Sequence, residues 1–183
     1  MRPLPFVCLA ISVPFILAGC GQHQGGTHAR DTCSLLSKED VESVQKSPVN
    51  EMKSSEHLDG TFRISQCLYT AAEFSKSVNL ALIQRDPNQH GTRGPKDFWK
   101  EKFDPYENEE PRTNTHNENE EGPAPKKIVG LGEEAYWVAN RFGGTLYVLK
   151  GDALISVGIG GTDDEVTKLE KSKVLAQKAL QKL

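Results

Sequence analysis

Apolar and polar positions alternate with period two in two separate blocks of the chain. In the first block Phe62-Arg63-Ile64-Ser65 alternates and continues to Cys67 and Tyr69. Ser77 to Arg85 follows, with Val78, Leu80 and Leu82 on one face. Val49 to Ser54 adds an edge strand, Leu58-Asp59-Gly60 carries a turn signal, and Glu73 to Lys76 links two strands as a hairpin loop. In the second block Glu134 to Asn140, Thr145 to Lys150 and Ala153 to Gly160 read as strands. Arg141-Phe142-Gly143-Gly144 and Gly151-Asp152 are the turns between them. Links this short predict antiparallel meanders.

Helical signals flank both blocks. Ser37-Lys38-Glu39-Asp40 has the form of a capping box, with Leu36 and Val41 placed as a hydrophobic staple. It predicts a helix from about 38 to 46, stopped by Ser47-Pro48. Pro95 to Phe103 reads as a second helix, with proline in its first turn and Phe98, Trp99 and Phe103 on its buried side. Thr162-Asp163-Asp164-Glu165 reads as a second capping box, opening a helix that runs to Leu183. Val166, Leu169, Ala176, Leu180 and Leu183 would share its buried face, and Lys178 and Lys182 suit its C-terminal dipole. The order predicts an α+β fold: an antiparallel sheet of about six strands in two three-strand meanders, covered by helices.

Two stretches fall outside this pattern. The first 19 residues hold 13 apolar ones behind a lone Arg2, and the run Leu4 to Ala18 is 15 residues long. That is a signal-peptide pattern, too short for the roughly 20 residues that span a bilayer. No later run approaches that length, which predicts a mature chain without a transmembrane helix. The other stretch, Asp104 to Lys127, holds seven acids, four asparagines and four prolines. It cannot bury enough surface to offset its ordering entropy, so it reads as a disordered acidic insertion. A domain from 32 to 183 remains, preceded by a Gly-rich tether from 20 to 31 with a reach of about 18 Å. His23 and His28 in that tether are read as solvated.

Leu17-Ala18-Gly19-Cys20 resembles the lipobox of bacterial lipoproteins. The resemblance implies cleavage before Cys20, a lipid on its sulfur, and attachment to a membrane. In Gram-negative lipoproteins an aspartate after that cysteine resembles a retention signal. Gly21 therefore points to the outer membrane, if the envelope has one. Cys8 leaves with the signal, so Cys33 and Cys67 form an even pair in an oxidising compartment and are expected to be bridged. Such a bridge contributes roughly 4 kcal/mol by constraining the unfolded chain.

Cys33-Ser34-Leu35-Leu36-Ser37, Gln66-Cys67-Leu68-Tyr69 and Val129-Gly130-Leu131-Gly132-Glu133-Glu134-Ala135 together resemble a class of small bacterial lipoproteins of unknown function. That resemblance implies a PsbP-like α/β/α domain and no particular chemistry.

The candidate chemical motifs are weak. Gly130-Leu131-Gly132-Glu133-Glu134-Ala135 matches a dinucleotide fingerprint, but a strand follows it, and two glutamates repel a pyrophosphate. Asp86 to Asp97 mimics a calcium loop with His90 at an oxygen position. Trp99, Tyr136 and Trp137 are expected in the core. All five histidines fall in expected linkers or loops, so no triad stands out. A net charge of -3 gives no basic excess for nucleic acid. The expected protein is a non-enzymatic envelope module with no cofactor and no metal, bound to the membrane through Cys20 and to an envelope protein partner. The alternative is a small-ligand or lipid carrier with a pocket between sheet and helix.

Overall fold

The computed structural model describes residues 31–91, 93–107, 123–140 and 143–183. The signal segment, Cys20, the tether before Asp31, residues 108–122 of the acidic insertion, and His23, His28 and His116 lie outside the described residues. The chain starts with a 3-10 turn, Thr32–Ser34, then α1 (Lys38–Gln45), β1 (Val49–Asp59) and β2 (Phe62–Ala71). A second 3-10 turn, Phe74–Lys76, leads to β3 (Val78–Arg85) and α2 (Pro95–Glu107). β4 (Lys126–Lys127), β5 (Glu134–Val138), β6 (Thr145–Lys150), β7 (Ala153–Ile159) and α3 (Glu165–Gln181) complete it.

The strands form one antiparallel sheet in the order β1-β2-β3-β7-β6-β5-β4. The α+β architecture is as expected, with seven strands rather than six. The extra strand, β4, is two residues long and falls inside the stretch read as an insertion. α1 and α3 cover one face of the sheet; α2 covers part of the other. Among the described residues, no helix is long and apolar enough to cross a membrane.

Several boundaries differ from the sequence reading, each for a visible reason. β1 runs to Asp59, well past Ser54, because β2 pairs with it through Asp59↔Phe62. Cross-strand pairing overrides the poor strand propensity of its charged residues. His57 therefore sits in an edge strand, not a loop. α2 continues through Pro105 to Glu107. Its C-terminal half is held by the Phe103 ring, stacked on Tyr136 at 4.6 Å. The N-cap of α3 is Asp164, which accepts a hydrogen bond from the Thr167 amide at 2.7 Å. Glu165 is unavailable for the capping box read from Thr162, because its carboxylate accepts the Trp137 indole N–H at 3.0 Å. Val166 consequently points outward and is 69% exposed, while Ser172 and Leu175 join Leu169, Ala176 and Leu180 on the buried face.

Three links fasten the two-helix face. Cys33 and Cys67 are disulfide-bonded, with Cα atoms 5.0 Å apart, tying the first 3-10 turn to β2. Two residues along β2, the buried Tyr69 donates its hydroxyl proton to the Leu36 carbonyl at 3.0 Å. Burial pushes that phenol well above its ordinary pKa, so it remains a donor. At α1 the capping box forms as expected: Ser37 Oγ accepts from the Asp40 amide at 3.1 Å, and Asp40 Oδ2 accepts from the Ser37 amide at 3.0 Å. Asp40 also receives Lys178 Nζ from α3 at 2.8 Å. That cation and the capping amide hold the Asp40 carboxyl below the usual aspartate value of 3.8.

These links set the response to mutation and to pH. Replacing Cys33 and Cys67 with serine should lower unfolding stability by about 2–5 kcal/mol in urea titrations. A depressed carboxyl pKa stabilises the fold above the unfolded value, and that contribution is lost as pH falls through the folded value. Asp40→Asn should thus cost about 1–2 kcal/mol at neutral pH. The same variant should show a flatter loss of thermal midpoint than the parent protein as pH falls from neutral to about 3.

Candidate functional site

The sheet register sorts the side chains into rows, and the rows differ sharply between faces. On the two-helix face Cys67, Leu80, Val157, Leu146 and Trp137 lie side by side across β2, β3, β7, β6 and β5. All five are buried. On the opposite face the row Ile64, Ile83, Leu154, Leu149 and Glu134 runs beneath α2. Trp99 of α2 reaches over it and donates its indole proton to Glu134 at 3.0 Å. The next row, Gln66, Ala81, Ser156, Tyr147 and Tyr136, is covered by Phe103 at its tyrosine end. Burial there raises the Tyr147 phenol pKa. The third row, Leu68, Asn79, Gly158, Thr145 and Val138, lies beyond the helix.

Leu68, Asn79, Gly158 and Thr145 of this row floor an open depression of about 270 Å³, bordered also by Ser77, Asn140, Gly144 and Gly160. Gly158 makes the trough: a β-carbon there would meet nothing nearer than Thr145 Oγ1 at 3.9 Å. Asn79 and Thr145 flank it, about 10 Å apart across two strand spacings. Leu68, 37% exposed, supplies an apolar wall. Among the described residues, no carboxylate, cation or histidine lines the depression. The Ser77 hydroxyl is committed, donating to the Phe74 carbonyl at 2.7 Å and accepting the Ala71 amide at 3.2 Å. The arrangement offers neutral hydrogen-bonding groups beside a hydrophobic wall.

The floor is braced from behind. Gln45, buried at the end of α1, donates from Nε2 to the Lys76 carbonyl at 2.6 Å and to the Gly160 carbonyl at 3.3 Å. The start of β3 and the end of β7 are thereby held together, aided by the Gly160 amide on the Ser77 carbonyl at 3.0 Å. On the rim Gly144 adopts a φ of 149° with its α-carbon against the Trp137 ring, leaving no room for a side chain. Sequence patterning singles out neither Gln45 nor the trough. The available signal for Gln45 is a polar residue four positions after Val41, on the apolar side of α1.

The residues that the sequence does single out lie elsewhere. Cys33 and Cys67 form the structural bridge on the other face, and Cys20 lies outside the described residues. Gly130 and Gly132, at φ of 81° and 64°, make the turn into β5. Asp86 is buried and accepts hydrogen bonds from Arg63 at 3.3 Å and from the Asn88 side chain at 3.2 Å. Asp97 instead caps α2 by accepting the Gly94 amide at 2.8 Å. The two ends of the apparent calcium loop thus serve separate local structures. Among the described residues no group of three or more His, Cys, Asp or Glu is placed to hold a metal ion. Trp99, Tyr136 and Trp137 are core residues, as expected.

No protein-family model, no curated protein and no solved structure matches this chain.

Gly158→Val should fold with a thermal midpoint close to the parent, because the new side chain enters open space and suits a strand. Gly144→Ala should cost at least about 2 kcal/mol in the same melt, since it combines positive φ with a collision against Trp137.

Proposed function

We propose that this chain is a lipid-anchored cell-envelope protein whose domain binds an uncharged polar segment of another envelope macromolecule without catalysing a reaction. The observation that carries the reading is the open third row. Asn79 and Thr145 present side-chain hydrogen-bonding groups that no other described residue uses, on either side of a glycine trough and beside an exposed leucine. Groups so placed exchange bonds with water for bonds with a ligand at little ordering cost, because rigid strands already hold them.

The likeness of Leu17-Ala18-Gly19-Cys20 to a lipobox supports the anchor. Acyl chains contribute about 0.8 kcal/mol per buried CH₂, so more than one chain on Cys20 holds the domain firmly at a membrane. Gly21 favours the outer membrane of a two-membrane envelope, with the domain facing the periplasm. The alternative, a small-ligand or lipid carrier, asks for enclosed apolar volume between sheet and helix. A depression that lies beyond α2 and opens to solvent, rather than one enclosed between sheet and helix, favours the macromolecular reading.

Two measurements test the proposal. Mass spectrometry of the native protein should find Cys20 acylated and N-terminal, and Cys20→Ser should move the protein from the membrane to the soluble fraction. A photoreactive residue at position 68 should give a crosslinked adduct in native membranes that Gly158→Val abolishes. Equal adducts from position 68 and from the control position Val166, unaffected by Gly158→Val, would contradict binding at the trough.

A further inference from the structure

The sheet ends differently on its two sides. At one edge β4 is only two residues long. At the other, β1 extends for 11 residues and, among the described residues, pairs on one side only, with β2. Lys53 to Asp59 are exposed on both faces of this edge. No proline interrupts the strand, and its single register irregularity sits at its start, between Val49 and Glu51. Such an edge offers its N–H and C=O groups to another strand, and its charged side chains restrict which strand and register can pair.

The backbone register fixes which groups are on offer. Asp59 and Phe62 close a two-residue hairpin over Gly60 and Thr61, with Gly60 at a φ of 58°. In such a hairpin the closing pair exchanges both backbone hydrogen bonds. Odd-numbered residues of β1 therefore bond to β2, and Met52, Ser54, Glu56 and Leu58 turn their N–H and C=O groups outward.

We propose that β1 pairs antiparallel with β1 of a second copy of this chain, about a two-fold axis at Ser54. Ser54 is the midpoint of Val49–Asp59, so this axis pairs the whole strand, and the order of charges favours it over the registers one residue to either side. Centred on Ser54, Glu51 faces His57, Lys53 faces Ser55 and Met52 faces Glu56, with no like charges directly opposed. Centring one residue earlier sets Lys53 against Lys53; one residue later sets Glu51 against Asp59. Like charges directly opposed across strands are destabilising. The path of the chain into the domain agrees with the same axis. Asp31 Oδ1 lies 3.4 Å from Ser54 Oγ, so the segment joining tether to domain runs beside the axis. A two-fold perpendicular to the sheet puts the tether attachment points of the two copies on the same face, which lets two tethers reach one membrane.

A strand pair of this length falls below the roughly 1,200 Å² of a standard stable interface. The pairing is therefore weak in dilute solution and gains from confinement on a membrane. That gain and the placing of two tethers on one membrane rest on the anchored reading; the register does not.

Covalent capture tests the pairing. Lys53 and Ser55 project from the face opposite the Cys33–Cys67 bridge, and a directly opposed pair of this type spans about 4.5 Å between α-carbons, within disulfide reach. The full chain carrying K53C/S55C should form a disulfide-linked dimer on mild oxidation, both in native membranes and in concentrated detergent solution. K53C/H57C and K53C alone, which report the two shifted registers, should not. Adding Ser54→Pro removes an outward N–H without breaking the β1–β2 ladder, and should abolish the dimer while leaving the thermal midpoint close to the parent. Absence of the K53C/S55C dimer in both settings, with Cys20 acylation verified by mass spectrometry on the membrane sample, overturns the pairing and leaves the anchor standing. Equal crosslinking by all three cysteine variants also overturns it, as does a dimer that Ser54→Pro does not reduce. If Cys20 is unmodified, the anchor reading fails, and the detergent sample still decides the pairing.

Discussion

The pairing of β3 with β7 is the joint on which the rest of this domain depends. Each belongs to a meander that sequence-local hairpins can build, but neither meander alone has two covered faces. Val78↔Ile159, Leu80↔Val157 and Leu82↔Ile155 bring the apolar rows of the two halves into register beneath α3. A shift of one residue would turn every one of these side chains to the wrong face. The same register sets Asn79 beside Gly158 on the far side, so core packing and the open row are two consequences of one alignment.

The two faces are built to different ends. One is closed by a disulfide, a buried tyrosine hydroxyl, the Asp40–Lys178 pair and the Trp137–Glu165 hydrogen bond, each joining a helix or turn to the sheet or to another helix. The other is covered by a single helix whose aromatic side chains reach only two of the three rows. Closing one face firmly allows the other to remain partly open, because the rigidity of the strands comes from behind. Gln45 extends that bracing to the rim of the trough.

Much of this is legible in the sequence, for reasons that particular residues make plain. Period-two alternation at Phe62–Tyr69 and Val78–Leu82 marks strands with one buried face, and the Ser37–Asp40 box marks where α1 begins. Cys33 and Cys67 can be paired from compartment and count. The extension of β1 to Asp59 is not legible, since Glu56 and His57 have no strand preference of their own and take their conformation from β2. Nor is the rotation of α3 that exposes Val166, which depends on Glu165 bonding to an indole 28 residues away in sequence. The candidate site is hidden for a related reason. Its members come from β2, β3, β6 and β7 and carry no reactive group, so only the sheet order brings them together.

Two neutral hydrogen-bonding side chains, Asn79 and Thr145, held on a braced sheet beside the exposed Leu68, are suited to the docking role proposed above. Hydroxyl-radical footprinting of the full chain tests that account most directly, by comparing native membranes with the detergent-purified protein. Binding at the trough predicts that oxidation of Leu68 falls in membranes while Val166, exposed on α3, reacts at an unchanged rate. Equal oxidation of Leu68 in the two samples would contradict it.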